Sequence, residues 1–284
     1  MRIEQLKEIL LTWKKYSFQY QQKLAKEFFI KKALEFIYKH SLYPQLTFNG
    51  WTCLRMLYQL PRLSEDIDLD VFPDISFDMD IFAKEITSYF KKNTGKDAGF
   101  SIKSEGKTLL IKLPMLHELG LVTSKSESDV LYIKCDIQSV DGVGAQTQVS
   151  PYTKDGYFFL IRHYDLPTLF ANKLRAVFDR WDKLFHDKFS FKWRDFFDLI
   201  RYLQQWVLPN FDVIQYFLKK ELWISVKTIQ EVFALLDKRI AKIDTKGIYE
   251  DIVDLVEDSV TANQFADHFV EIYKDLRGKL LQKN

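Results

Sequence analysis

Apolar and polar side chains recur at helical spacing over much of the chain. Between residues 20 and 40 apolar side chains return every three or four positions with lysines between them, which predicts an amphipathic helix; residues 2–15 follow the same pattern. From residue 167 onward helices are predicted at 167–180, 190–206, 210–220, 225–240, 246–258 and 261–280. Strand patterns nearly vanish there, so the second half of the chain is expected to be helical.

Strands are predicted in the first half of the chain. Residues 66–72 alternate strictly between acidic and apolar side chains, which is the two-residue period of a β-strand. Other strands are predicted at 46–48, 99–104, 108–113 and 130–140, with helices at 51–59 and 78–93. Pro151 and Gly156 are interpreted as loop positions. We therefore predict an α+β protein, with one domain over 1–160 and a helical domain over 161–284.

Composition and charge narrow the class of protein. Of 284 residues, 47% are hydrophobic and only 10 are Gly and 7 Pro, which excludes collagen-like, low-complexity and turn-rich all-β classes. The net charge of +2 means that a nucleic-acid-binding surface must be a local patch. Cys53 and Cys135 form no zinc motif, and neither a targeting segment nor a membrane span is visible. We therefore expect a cytoplasmic protein.

The acidic strand at 66–72 carries the most informative chemistry. Alternation places Asp66, Asp68 and Asp70 on one face, where their charges repel unless water or a cation compensates. Mg²⁺ prefers oxygen ligands of this kind. Asp136, in a later strand, supplies a third carboxylate if the two strands are neighbours, which is enough for two ions that clamp a triphosphate. The alternative is an edge strand with a solvated acidic face.

A candidate phosphate-binding turn precedes this strand. Gly50 ends a short strand, and Thr52 lies at the start of the next helix. A glycine allows the backbone to approach a phosphate closely, and a helix N-terminus with a hydroxyl nearby attracts anions.

Three segments, in this order, resemble the motifs of one protein family. Residues 48–69 contain FNGWTCL and LPRLSEDIDL, residues 165–176 read DLPTLFANKLRA, and residues 194–199 read RDFFDL. Together they resemble the AbiEii/AbiGii toxin family, nucleotidyltransferases of the DNA polymerase β-like superfamily. The resemblance implies a polymerase β-like core, with a mixed β-sheet flanked by helices, followed by a helical half. One departure is Trp51, which stands where the family has a second glycine.

The resemblance implies roles for the matched residues of the first half. Asp66 and Asp68 would hold Mg²⁺, with Mn²⁺ as a possible substitute, on the triphosphate. Asp136 would complete the metal site and favour deprotonation of the acceptor hydroxyl. The residues implied in nucleotide binding are Gly50, Thr52, Arg62, Ser64, Lys173 and Arg180. Of these, Thr52 and Ser64 would bond phosphate oxygens, and Arg62 would contact either a phosphate or the acidic strand.

The resemblance also implies roles for the helical half. Lys173 would stabilise charge on the leaving pyrophosphate, and Arg180, seven residues on, lies on nearly the same helix face. One of Asp195 and Asp198 would orient Lys173 by ion pairing, and the other would brace Arg194 or Arg201. For Asp198 an ordinary surface charge is the alternative. Without the resemblance, a lysine that extends to solvent is the simpler interpretation of Lys173.

Weaker candidates surround this helix. His163 and Tyr164 precede it and are candidate substrate contacts. A basic patch beside it consists of Lys183, Lys188, Lys192 and Arg194, interleaved with Trp181 and Trp193. Such a patch suits RNA phosphates, and the alternative is solvated helix surface.

The activity that the resemblance implies is transfer of a nucleotide from an NTP to an RNA hydroxyl, foremost the tRNA 3′ end, with release of pyrophosphate. The protein would act as the toxin of an abortive-infection type toxin–antitoxin system, with a cognate antitoxin as partner. Two alternatives stay open. One is a catalytically impaired module of the same fold that binds a nucleotide or a partner, with Trp51 as its mark. The other is nucleotidyl transfer to a protein or a small molecule.

Overall fold

One mixed sheet contains all strands of the chain that the computed structural model describes, which covers residues 3–122, 128–183, 192–243, 245–256 and 258–283. The strands are β1 (Thr47–Asn49), β2 (Asp66–Val71), β3 (Gly99–Lys103), β4 (Thr108–Pro114), β5 (Val130–Ser139), β6 (Thr147–Tyr152) and β7 (Phe159–Tyr164). Their order is β3-β4-β5-β2-β1-β7-β6. Since β2 lies between β5, to which it is parallel, and β1, to which it is antiparallel, the acidic strand is not an edge strand.

The helices divide between the two halves of the chain. The first half contains α1 (Ile3–Thr12), α2 (Phe18–Lys39), α3 (Gly50–Tyr58) and α4 (Met79–Thr94). The second half contains α5 (Leu166–Lys183), α6 (Arg194–Gln204), α7 (Phe211–Glu221), α8 (Ile229–Ile240), α9 (Thr245–Ile252) and α10 (Ser259–Lys283). The predicted α+β class is confirmed. The predicted start of a helix at residue 190 lies outside the described residues.

Contacts along the chain define two compact units. One consists of Met1–Asp141 and Gln148–His163, and the other of Gly142–Thr147 and Tyr164–Asn284. The short segment 142–147 belongs with the helical unit because the Asn210 side-chain amide donates to the Gly144 carbonyl oxygen at 2.9 Å. Division into domains at residue 160 stays a prediction.

The interpretation of Pro151 as a loop position is wrong, because Pro151 lies inside β6. β6 occupies one edge of the described sheet, where a proline is tolerated because its missing N–H need not pair with a neighbour. Most of β6 is exposed, so it lacks the apolar alternation that reveals a strand in the sequence. Gly156 does lie between β6 and β7.

Apolar side chains of β2 and of the helices form the core of the first unit. Ile67 and Leu69 are buried, and α2 turns a row of buried side chains inward: Ala25, Phe28, Phe29, Ile30, Ala33, Leu34 and Ile37. Because side chains alternate along a strand, burial of Ile67 and Leu69 directs the aspartates of β2 to the opposite face. Among the helices described, none has the length and hydropathy needed to span a membrane.

A tight turn joins β1 to α3 and passes directly beside the acidic strand. The Asn49 side-chain oxygen accepts a hydrogen bond from the Gly50 N–H at 2.7 Å, which caps the helix. Gly50 has φ of +69°, and a Cβ atom built there would lie 1.9 Å from Oδ2 of Asp68. Two separate reasons therefore require a glycine at this position: the positive φ of the backbone and the neighbouring carboxylate.

Comparison of Gly50→Ala with Gly95→Ala separates these two requirements. Gly95, at the end of α4, has the same φ of +69°, but a Cβ there would meet nothing within 4 Å. We expect Gly95→Ala to lower the free energy of unfolding by about 1–2 kcal/mol through backbone strain alone. Gly50→Ala should lower it further, because the Asp68 carboxylate must move. Urea unfolding measures both, and equal losses would refute the close approach to Asp68.

Candidate active site

Three carboxylates and one ammonium group meet on β2 and β5. In the parallel pairing of these strands Asp66 lies opposite Lys134, and Asp68 lies opposite Asp136. Side chains two residues apart share a face, so all four project from the same side of the sheet. The structure thus brings Asp136 beside the acidic strand, as predicted. It also adds Lys134, which the sequence analysis missed although its position two residues before Asp136 places it on that face.

Asp68 experiences an excess of negative charge. Burial raises its pKa most, and the charges of Asp66 and Asp136 raise it further, while Lys134 opposes them; the result is a pKa of about 7. Among the residues that the structure describes, none donates a hydrogen bond to the carboxylate of Asp66 or Asp68. The nearby charge of Lys134 is therefore the opposing influence on Asp68, and it acts without a hydrogen bond to that carboxylate.

Asp136 is held from two sides. The Thr108 hydroxyl donates to Oδ1 of Asp136 at 2.7 Å, and Thr108 lies opposite Asp136 in the antiparallel pairing of β4 with β5. The Lys134 ammonium donates to Oδ2. Burial lowers the pKa of Lys134, but the bond to Asp136 and the nearby charge of Asp66 outweigh it, so the pKa lies above its usual value. Lys134 is therefore a charged partner of the cluster.

The hydroxyls of Thr52 and Ser64 fix the start of β2. Thr52 Oγ1 donates to the backbone carbonyl of Asp66 and lies 2.6 Å from Ser64 Oγ. A hydroxyl has one proton, so Ser64 is the donor to Thr52. Both side chains are buried and both protons are used within the protein. A phosphate contact by Thr52 or Ser64 stays a prediction, and it requires that one of these bonds be exchanged.

Trp51 packs on a buried arginine. The Arg62 guanidinium lies 4.5 Å from the centre of the Trp51 ring, and its NH1 donates to the Leu63 carbonyl oxygen at 3.0 Å. Arg62 is only 2% exposed. The Trp51 ring therefore stabilises the turn through a cation–π contact. The predicted phosphate contact of Arg62 is not tested by this arrangement.

Lys173 lies in a buried ion-pair network in the helical unit. Its Nζ is 2.8 Å from Oδ1 of Asp195 and 3.8 Å from Oδ2 of Asp198, while Arg180 bonds the other oxygen of Asp195. Lys173 is 7% exposed, which rules out the interpretation that it extends to solvent. Asp198 is fully buried and is not a surface charge. Of the two aspartates considered as partners of Lys173, Asp195 lies closer to its ammonium.

Burial and charge act in opposite directions on this network. Burial lowers the pKa of Lys173 to about 8, although Asp195 and Asp198 raise it. Asp195 has a lowered pKa because the charges of Lys173 and Arg180 outweigh the effect of burial. The charges of Lys173, Arg180, Asp195 and Asp198, taken by themselves, balance. The network fixes the Lys173 ammonium in one position.

The weaker candidates have structural partners. His163 is buried, and its Nε2 lies 2.9 Å from the Ser150 hydroxyl, while Tyr164 is also buried. Contact of His163 or Tyr164 with a substrate stays a prediction. In the basic patch, Lys188 lies outside the described residues, and the binding of RNA by this patch stays a prediction.

A cavity of about 590 Å³ opens in the first unit where β2 and β5 end. Its polar lining is formed by Glu105, Lys107, Gln138 and Ser139. Gln138 lies two residues beyond Asp136 on the same strand and therefore on the same face. None of the predicted site residues lines this cavity, which lies beyond the carboxylates along the same strands.

The raised pKa of Asp68 predicts a stability that depends on pH. The folded protein binds the Asp68 proton more tightly than the unfolded chain, so this stabilisation is complete below the unfolded pKa near 4 and is lost as the pH rises through about 7. Asp68→Asn should therefore raise the free energy of unfolding by on the order of 1–2 kcal/mol at pH 8, and not at pH 4. Urea unfolding in EDTA measures the difference.

The matched control for Asp68→Asn is Asp74→Asn at an exposed position. It should change the free energy of unfolding by less than about 0.5 kcal/mol at both pH values. A loss of stability in Asp68→Asn at pH 8 would show that the carboxylate is not under repulsion.

Lys173→Met tests the ion-pair network. Loss of the ammonium leaves Asp195 and Asp198 buried with one cation fewer, which should lower the free energy of unfolding by about 3 kcal/mol. Arg175→Met, at an exposed position of the same helix, should lower it by less than about 1 kcal/mol. Thermal and urea unfolding provide the measurement, and equal stabilities of the two variants would contradict the network.

Comparisons with known proteins agree with this arrangement. The family described as "Nucleotidyl transferase AbiEii toxin, Type IV TA system" matches residues 33–277. No curated protein sequence matches significantly. Among solved structures, JHP933 from Helicobacter pylori is similar with a TM-score of 0.51 and 16% identity, over 92% of this chain and 94% of that chain.

A structure described as a nucleotidyltransferase from H. pylori, with that assignment marked as provisional, is also similar. Its TM-score is 0.51 and its identity 15%, over 93% of this chain and 98% of that chain. At such identities these likenesses show the fold. The match to the family covers most of the chain, including β2, β5 and the Lys173 network. The chain therefore belongs to the AbiEii family of toxin nucleotidyltransferases, and it is a nucleotidyltransferase.

Proposed function

We propose that this nucleotidyltransferase transfers a nucleotide from an NTP to an RNA hydroxyl, with the tRNA 3′ end as the first acceptor to test, and that the reaction requires Mg²⁺. The observation that carries the proposal is the cluster of Asp66, Asp68 and Asp136 on one face of β2 and β5. Burial, together with the charges of Asp66 and Asp136, raises the pKa of Asp68 to about 7, and a divalent cation would stabilise the ionised carboxylate there.

The chemistry of the donors fits a hard divalent ion. Asp66 and Asp68 offer carboxylate oxygens that accept no hydrogen bond from the described residues. In the part of the chain that the structure describes, no group of three or more His, Cys, Asp or Glu side chains is arranged to hold a metal ion. This agrees with the engagement of Asp136 by Thr108 and Lys134. When bound, the ion would neutralise the triphosphate and lower the pKa of the acceptor hydroxyl.

The chain's own residues would prepare this site. Gly50 leaves the space that the Asp68 carboxylate occupies, and Thr52 with Ser64 fixes the position of Asp66. Asp66 and Asp68 hold the ion in this proposal, and Asp136 completes the acidic cluster. We assign the cavity at the end of β2 and β5 to part of the substrate, because it continues along the same strands.

Lys173 supplies positive charge for the leaving pyrophosphate in this proposal. Its support is local: the ammonium is buried and is oriented by Asp195, which is itself held by Arg180. A fixed cation stabilises developing charge without reorganising during the reaction. That Lys173 and the acidic cluster face one cleft stays a prediction.

The family description implies an antitoxin and an NTP as partners. We propose the cytoplasm as the place of the reaction, since NTPs and tRNA are found there.

A second candidate function is that of a binding module of the same fold. Two observations favour it. Trp51 replaces the family's second glycine and packs on Arg62, and the hydroxyl protons of Thr52 and Ser64 are used inside the protein. Such a module would bind an NTP or a partner without transferring a nucleotide.

Labelling with α-³²P NTPs tests transfer. Purified protein with Mg²⁺ and total tRNA should give labelled RNA with at least one of the four NTPs. Asp66→Asn and Asp68→Asn should lower the rate by at least about a hundredfold, because each removes an ion-binding oxygen. Asp70→Asn is the matched control: it lies on the same face of β2, but it is buried and Asn49 donates to its carboxylate, so it should change the rate only a few-fold.

The fate of the label distinguishes the alternatives. Label that ribonuclease removes supports RNA as the acceptor, and label that only protease removes supports a protein. Binding of NTPs without labelling under all four nucleotides would contradict transfer and support the binding module.

A further inference from the structure

Lys134 is the positive charge within the acidic cluster. It lies opposite Asp66 in the register of β2 and β5, and two residues before Asp136 on the same face. Its ammonium donates to Oδ2 of Asp136, and its side chain is 37% exposed. The cluster thus contains three carboxylates and one ammonium group, with a net charge of −2.

The three carboxylates are not equivalent. The carboxylates of Asp66 and Asp68 accept no hydrogen bond from the described residues, so an ion that binds them displaces no donor. Both oxygens of Asp136 have partners, Thr108 on Oδ1 and Lys134 on Oδ2. An ion that needs an oxygen of Asp136 must therefore displace one of these two groups.

We propose that Lys134 competes with a second divalent ion for Asp136. This inference rests on the proposed function, because it takes the acidic cluster as the metal site. The first ion binds at Asp66 and Asp68 alone. The second ion uses Oδ2 of Asp136 and binds only when the Lys134 ammonium moves away, so Lys134 sets how many ions the site holds at a given concentration.

The contacts of Asp136 indicate that an incoming ion displaces Lys134 and not Thr108. An ammonium group and a divalent ion use the same lone pairs of Oδ2, so the two exclude each other. Lys134 has a long, partly exposed side chain that can reach solvent, whereas the Thr108 hydroxyl lies on the neighbouring strand. Thr108 therefore keeps the carboxylate oriented while Oδ2 changes its partner.

The exchange also depends on the charge of the ligand. Replacing a single positive charge by a divalent ion is more favourable when a triphosphate adds negative charge to the site. Competition by Lys134 therefore favours occupancy by the second ion only when the NTP is present.

Titration of the full-length protein with Mn²⁺ alone, without an NTP, tests the inference. Mn²⁺ binding is followed by electron paramagnetic resonance and by calorimetry, which do not depend on activity. The wild-type protein should bind one ion, and a second ion much more weakly. Lys134→Met should strengthen binding of the second ion by on the order of tenfold. Lys134→Arg, which keeps the charge, should resemble the wild type.

Two further variants keep the test decisive. Lys134→Gln removes the charge but keeps a donor for Asp136, and it should also strengthen the second ion if Lys134→Met does not fold. The double variant Lys134→Met with Asp136→Asn removes a neutral pair, and it should lose the second ion while it retains the first.

The inference is overturned if Lys134→Met and Lys134→Gln bind Mn²⁺ as the wild type does, or if the wild type binds two ions equally tightly or none. These outcomes are separate from failure of the proposed function, which the labelling of RNA decides: labelling that is lost in Asp66→Asn upholds transfer even where the Mn²⁺ titration contradicts the role of Lys134.

Discussion

Repulsion among carboxylates on β2 and β5 is the constraint on which the rest of the first unit depends. Asp66, Asp68 and Asp136 are brought together by a strand register that cannot slip, because a shift of one residue would turn Ile67 and Leu69 out of the core. The hydrophobic core thus imposes an arrangement that electrostatics opposes. Burial first, and these charges second, raise the pKa of Asp68 to about 7, so ionisation of Asp68 lowers the stability of the fold.

The residues around the cluster hold the carboxylates in place and neutralise only part of their charge. Gly50 brings the backbone against Asp68, and the Thr52 hydroxyl holds the carbonyl of Asp66, so neither carboxylate can relax by backbone movement alone. Lys134 neutralises one charge and leaves two. A cluster in which every carboxylate had a cationic partner would be more stable but would bind a divalent ion weakly. A cluster without Lys134 would bind the ion more tightly, but it would lower the free energy of unfolding further. The arrangement in the structure lies between these limits.

The sequence predicted the parts of the fold and site that follow from periodicity. Strict alternation at 66–72 defined β2 and its acidic face, and helical spacing defined the second half. β6 was not predicted because an exposed edge strand shows no alternation of apolar side chains. Pro151 was moreover taken to indicate a loop. The pairing of β2 with β5 is a long-range choice that local patterns do not encode. Lys134 could have been found from its spacing to Asp136, whereas the use of the Thr52 proton by the Asp66 carbonyl depends on three-dimensional contacts.

Substitutions in the two charged clusters are expected to change the stability of the protein in opposite directions, and this affects how a test of function is interpreted. The Lys173 network is buried and its four charges balance, so removing one member exposes the others to an uncompensated charge and weakens the fold. A Lys173 variant could therefore lose activity either because the ammonium is missing or because the fold is weakened, and an activity assay alone does not separate these two causes. In the acidic cluster, substitution of Asp68 by Asn removes a carboxylate whose pKa is raised by burial and by neighbouring charges, so the fold is expected to gain stability at pH 8. An activity that falls in Asp68→Asn while the stability rises would identify a group that acts on the substrate or its ion, because a merely structural role predicts that both fall.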